Sequence, residues 1–191
     1  MPVTKQYVMK KLFILSILFL TVFSSCSSKV DLAIDNPTDV SVEIVVDTLR
    51  VLVPPKDVVW VEMGPGEHQL TLENDSIIKY NFTESVYMIN PSLSEYLVAD
   101  EYYGPTAFQN SYASTLPNKV VTFLGMEIEG NYDVLTNVIN KVTWDYGPRE
   151  TLPEMVEVDA DESYTTLVKV YDPAEFMSLM LSSYNDYSED E

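Results

Sequence analysis

Thirty Asp and Glu stand against 11 Lys and Arg in 191 residues, with one His, one Cys, 13 Tyr and 2 Trp. With His68 as the only histidine, any Ser-His or Cys-His catalytic centre must be built around it. Such a centre also needs a nucleophile and an orienting acid, and the chain contains no G-x-S-x-G elbow. His68 follows a Gly-Pro-Gly turn at the start of a strand-like run, so packing at a strand edge is the expected role. Carboxylates this abundant fall close together by chance in any fold. A working glycosidase pair needs one acid in apolar surroundings that raise its pKa, which spacing cannot reveal. The net charge of −19 excludes nucleic-acid binding, because phosphate neutralisation requires clustered Lys and Arg.

The densest acidic cluster is Glu157, Asp159, Asp161 and Glu162. Hard cations such as calcium take several carboxylate and carbonyl oxygens, so these four are the candidate metal ligands. The EF-hand spacing is not met, since Tyr164 stands where its Gly belongs and Lys169 or Val170 near its last Glu. A solvated hairpin tip between strands at 154–158 and 164–170 is the expectation. Aromatic residues offer a second chemistry. Tyr102, Tyr103, Phe108 and Tyr112 crowd one segment, and Trp144 and Tyr146 share one face of a strand-like run. Polar-tipped aromatics serve recognition surfaces, sugar-stacking ones included, and equally serve sheet cores. Tyr102, Tyr103, Tyr112 and Trp144 are the candidate ligand-binding residues. No cofactor is expected, and the chain is read as no enzyme.

The single Cys excludes an internal disulfide framework and a Cys-rich zinc site. Its setting is MKKLFILSILFLTVFSSC, residues 9–26. Lys10 and Lys11 precede an uncharged run from Leu12 to Phe23, and Ser24 and Ser25 lead into Cys26. A membrane-spanning helix needs about 20 apolar residues, so this 12-residue run reads as a secretory h-region. The segment resembles a bacterial lipoprotein signal, of the relaxed type of Bacteroidota lipoproteins, with Phe23 where Leu is usual. The resemblance implies cleavage after residue 25 and lipidation of Cys26, with Met9 the expected true start. Residues 26–29 would then be a lipidated Cys and a short tether. Cleavage removes Lys5, Lys10 and Lys11, leaving 8 basic residues against 30 acidic ones. A chain so acidic is repelled by anionic headgroups, so membrane attachment is expected through the lipid alone. The implied location is the cell envelope, at the outer membrane, with an envelope protein as partner.

The elements that must position these residues are mostly strands. VDLAID (30–35), VSVEIVV (40–46), LRVLV (49–53), VVWVEM (58–63), HQLTLEN (68–74) and IIKYNFT (77–83) are short, rich in Val and Ile, and separated by Pro, Gly, Asp and Asn. Such spacing predicts a β-sandwich over 30–90. Within it, DNPTDVSVEIVVDTLRVLVPPKDVVWVEMGPGEHQLTL (35–72) resembles the small Ig-like modules of PEGA-like and carboxypeptidase-regulatory-like type, with Pro65, Gly66 and His68 at a corner between strands. The resemblance implies a structural or binding module. Asp47-Thr48-Leu49 and Asp75-Ser76-Ile77, both at expected turns, resemble the acceptor triplet of Bacteroidota protein O-glycosylation, which makes Thr48 and Ser76 candidate glycosylation sites.

Beyond residue 90 a β-rich or α+β portion is expected over 91–184. It comprises a helical turn at 91–96, a strand at 96–99, an irregular Tyr-rich connection, a strand at 119–129, a turn or short helix, then a strand at 140–146. A strand at 165–171 leads into a helix over 173–184. Asp172, Pro173 and Glu175 form its capping-box-like start, and Phe176, Leu179, Met180, Ser183 and Tyr184 its packing stripe. Residues 185–191 are expected to be an acidic disordered tail. The whole reads as a mainly β, lipid-anchored envelope protein acting as a structural or protein-interaction module. The alternative is a glycan- or calcium-binding lipoprotein.

Overall fold

A computed structural model describes residues 29–117, 119–157 and 163–188. The protein is mainly β, a sandwich followed by an α+β portion that ends in a helix. One sheet of the sandwich runs β12-β7-β1-β4, from β1 (Val30–Asn36), β4 (Asp57–Met63), β7 (Val86–Ile89) and β12 (Ile139–Lys141). The other runs β3-β2-β5-β6, from β2 (Val42–Val46), β3 (Leu49–Val53), β5 (Gly66–Leu72) and β6 (Ile77–Phe82). Alternate side chains meet between the sheets: Leu32, Ile34, Tyr87 and Ile89 from the first, Ile44, Val53, Leu70 and Phe82 from the second. The period of two that marks these segments in the sequence is the pleat itself. Strand β1 alternates imperfectly because it is buried on both sides: Ala33 and Asp35, on the outer face, are covered as well. Asp47 and Asp75 take positive φ at the β2–β3 and β5–β6 turns, a conformation Asp tolerates well.

The second portion is built on β8 (Tyr96–Tyr103), flanked antiparallel by β11 (Tyr132–Leu135) and β13 (Thr165–Tyr171). A hairpin of β9 (Lys119–Phe123) and β10 (Met126–Gly130) lies beside it, and Leu97, Phe123, Tyr171 and Phe176 form the core. Several local expectations are corrected. Residues 100–103 extend the strand rather than starting an irregular connection, and α1 (Thr106–Ala113) follows. Segment 119–129 is a hairpin, turned at Leu124-Gly125 where both residues have positive φ. Residues 132–135 are a strand, and the expected strand at 140–146 is reduced to 139–141 with an isolated bridge from Tyr146 to Lys169. That last strand pairs with β7, so the sandwich draws its edge strand from beyond residue 90.

The C-terminal helix α2 (Pro173–Ser188) starts as its sequence demands. Asp172 Oδ1 accepts from the Ala174 and Glu175 N–H groups at 2.8 and 2.9 Å, and Glu175 Oε2 accepts from Asp172 N–H at 3.0 Å. That is the reciprocal capping box. The helix runs to Ser188, so Asn185–Ser188 continue it instead of opening the tail; once nucleated, each added residue gains a backbone bond. Residues 189–191 of that tail lie outside the described residues. The packing stripe holds only in the first turn, where Phe176 is buried; Leu179 and Met180 are exposed.

One charged cluster joins the two portions. Arg149 Nη1 donates to Asp172 Oδ2 at 2.8 Å, and Nη2 donates to Asp35 Oδ1. The Tyr96 hydroxyl donates to the other oxygen of Asp35 at 2.5 Å. The Asp35 and Asp172 side chains are 3% and 1% exposed, so the guanidinium bridges two carboxylates out of water. Burial pushes the Asp35 carboxyl up, against the pull of Tyr96 and Arg149. An acid raised in this way loses stability as pH climbs through its folded pKa. Replacing Arg149 by Met strands both carboxylates and should cost about 3–5 kcal/mol, read as a fall in the urea midpoint at pH 7. The deficit should narrow at pH 4, where the orphaned carboxylates can take up protons. Arg149→Lys should recover little, since one ammonium cannot span both partners as the planar fork does.

Candidate functional site

The outer face of the first sheet carries a cleft of ≈ 230 Å³. Its floor comes from positions that alternate away from the sandwich core: Ala33 and Asp35 of β1, Val58 and Trp60 of β4, Val86 and Met88 of β7. Segment 142–150 runs across this face and supplies the opposite wall with Val142, Trp144, Asp145, Gly147, Pro148 and Glu150. That segment is fixed along its length. Val142 N–H donates to Val86 O at 3.3 Å, and Asp145 and Tyr146 N–H donate to Val168 O at 2.9 and 3.1 Å. The buried Lys169 ammonium donates to Gly147 O at 2.5 Å, and Arg149 is anchored as described above.

Both tryptophans of the chain meet at this cleft. Trp60 is 58% exposed, whereas Trp144 is half-buried and packs against the small cluster of Met88, Tyr96 and Val170. A neighbouring cavity of ≈ 320 Å³, lined in part by Val98, Leu135 and Ile139, shares Trp144 as its border. Carboxylates stand among the described lining residues and no basic side chain does. Asp35 is engaged by Arg149 and Tyr96. Asp145 Oδ2 accepts from Val168 N–H at 2.8 Å, and Glu150 Oε2 accepts from Gly147 N–H at 2.7 Å. Each of these two is held in place through one oxygen.

Of the four aromatic candidates, the structure brings Tyr102 and Tyr112 together and sets Trp144 apart from them. Tyr102, Tyr112 and Tyr164 stack with ring centroids 5.1–5.4 Å apart, joining β8, α1 and the entry to β13. Gly104 is required beside them: a Cβ there would lie 2.7 Å from Tyr164 Cβ. Tyr103 donates its hydroxyl to Pro153 O at 2.9 Å. Burial raises the Tyr102, Tyr103 and Tyr112 hydroxyls, consistent with packing against protein. Trp60 is the residue that sequence reading missed. Its signal was present, because VVWVEM puts Val59 and Val61 on the core phase and a tryptophan on the phase reserved for solvent.

The remaining candidates are spread over the molecule. Glu157 is exposed, and Asp159, Asp161 and Glu162 lie outside the described residues. Among the described residues no group of three acidic, His or Cys side chains is placed to hold a metal, and no helix is long and apolar enough to cross a membrane. Cys26 also lies outside them. Thr48 and Ser76 are exposed at their turns. His68 Nδ1 meets Asp47 Oδ2 at 2.7 Å and Nε2 meets Gly64 O at 2.9 Å, so both ring nitrogens face oxygen acceptors across the hairpin end.

Asp47 accepts from Gln69 N–H at 2.9 Å as well, and that bond, with His68, holds its carboxyl below the usual range. A depressed carboxylate contributes stability above its ordinary pKa and loses it as pH falls. Asp47→Asn should therefore lower the thermal midpoint at pH 7 and converge on the parent at pH 3, followed by circular dichroism. No family model matches the chain, and neither the curated proteins nor the solved structures contain a match to it.

Proposed function

We propose that the chain is a cell-envelope lipoprotein, tethered through Cys26, that acts as a non-enzymatic interaction module and engages a protein partner at the Trp60–Trp144 cleft. The observation that carries this reading is the convergence of both tryptophans, distant in sequence, on one cleft of the sandwich's outer face. Trp is among the residues most enriched at the energetic centres of interfaces, and a mostly exposed indole beside a half-buried one supplies an anchor with a fixed backing. The wall is held by backbone bonds and by Lys169 and Arg149, so little ordering cost falls on the partner's arrival. His68 supports a role without catalysis, since both its nitrogens are engaged at a hairpin end and neither lies at the cleft. A glycan is the second reading, favoured by the open indole face of Trp60.

The tether is tested by fractionation. Cys26→Ser should move the protein from the membrane to the soluble fraction and abolish incorporation of labelled palmitate; membrane retention without label would remove the anchor. The cleft is tested by crosslinking in native cells. Trp60→Ala, at an exposed position, should change stability by about 1 kcal/mol or less while abolishing the crosslinked adduct. An unchanged adduct pattern in a folded Trp60→Ala protein would move the interaction site elsewhere.

A further inference from the structure

We infer that the cleft receives a cationic side chain, a lysine or arginine presented by an extended segment of the partner protein. This inference rests on the cleft being the interaction site and adds the chemistry of what enters it. Size comes first. At ≈ 230 Å³ the cleft falls below the roughly 300–1,000 Å³ of pockets that enclose whole small molecules, and suits one side chain.

The walls then select the kind of side chain. Indole faces carry the negative part of the ring quadrupole and attract ammonium and guanidinium groups better than other aromatics do. Asp145 and Glu150 border the same space, each fixed through one oxygen on a backbone N–H. Glu150 and the Trp144 indole nitrogen flank Gly147 together, at 3.6 and 3.7 Å from where its Cβ would stand. Three basic residues of the described chain close to this segment are committed elsewhere: Arg149 to Asp35 and Asp172, Lys169 to Gly147 O and Glu175, Lys141 to Glu84. Both carboxylates are exposed and border the cleft, with no basic residue among its described lining residues, so they add a negative rim beside the two indoles.

Presentation by a segment follows from β4. Among the described residues it pairs on one side only, with β1, and it carries Trp60 on the cleft face, so that edge can seat an extended chain whose side chain turns inward. The net charge of −19 steers a basic partner toward this surface.

The test uses the intrinsic fluorescence of the full chain, because both tryptophans lie at the cleft. The probes are the peptides Ac-Gly-Arg-Gly-NH2 and Ac-Gly-Lys-Gly-NH2, with Ac-Gly-Gln-Gly-NH2 and cellotetraose as neutral comparisons. The cationic peptides should give a saturable change with a midpoint of about 1 mM, as expected of ligands this small. That midpoint should weaken as sodium chloride rises, through screening. The Gln peptide and cellotetraose should give none. The double variant Asp145→Asn, Glu150→Gln keeps an acceptor for each backbone N–H and should fold with the parent melting temperature. It should bind the cationic peptides about tenfold more weakly. Equal response to the Gln peptide, saturation by cellotetraose instead of the cationic peptides, or full affinity in the folded double variant would each overturn the inference. If Trp60→Ala abolishes the cellular adduct while the cationic peptides fail to bind, the interaction reading stands and the cation falls; if the adduct survives as well, both fall.

Discussion

The guanidinium of Arg149, held between Asp35 of the first strand and Asp172 at the cap of the last helix, is the contact on which the rest of the arrangement depends. Its net energetic contribution is small by nature. Removing an arginine and two carboxylates from water costs roughly what their attraction returns, and hydrophobic replacements of the same shape are often as stable. What the cluster supplies is geometry. A planar fork satisfied by two carboxylates from different elements, with Tyr96 completing one of them, admits few relative positions of those elements. Sliding segment 142–150 along the sheet would leave buried charges unpaired, which makes alternatives costly even though the native pairing adds little.

From that constraint the cleft follows. A sandwich sheet ordinarily keeps one face in the core and one in water. Here β1 is buried on both faces because the 142–150 segment is pinned across it. The pinning is incomplete in area: Met88, Tyr96 and Val170 close one part of the outer face, and the space between Trp60 and Trp144 stays open. The cleft is therefore the uncovered remainder of an interface within the chain, which explains its apolar floor and its fixed wall. Its outward carboxylates belong to residues that also tie that wall down.

How much of this was legible follows from the range of the interactions. The strands between residues 30 and 83 declared themselves because each carries its own alternation and its own Pro, Gly or Asp stop, and these are local signals. The start of α2 was legible for the same reason, since Asp172, Pro173 and Glu175 act within one turn. Strand β12 was legible only in part: the alternation over 140–146 marked a strand there, but ladder pairing sits at 139–141, where β7 fixes it. Helix α1 was hidden in a Tyr-rich stretch with no buried residue, held by the stacking of Tyr112 on Tyr102 and Tyr164. Trp144 was named with the tyrosines as a candidate, but the 142–150 segment carries it to the cleft that Trp60 also lines. No local pattern marks Arg149 as a clamp, since its partners stand 23 and 114 residues away in the chain.

The charge distribution joins these points. A surplus of acids costs some self-repulsion, but an exposed carboxylate keeps its hydration, and most of those among the described residues are exposed. The ones that decide the structure are the few taken out of water. Asp35 and Asp172 are matched by Arg149, which joins the two portions, and Glu175 by Lys169 within the second portion, so these cations are consumed inside the fold. Asp145 and Glu150 sit one step outward from that cluster, oriented by backbone N–H groups and without a cation of their own among the cleft residues. A surface that has placed its interior cations so economically and left oriented carboxylates beside two indoles is complementary to positive charge arriving from outside, and the direction of that complementarity is set by the same residues that set the fold.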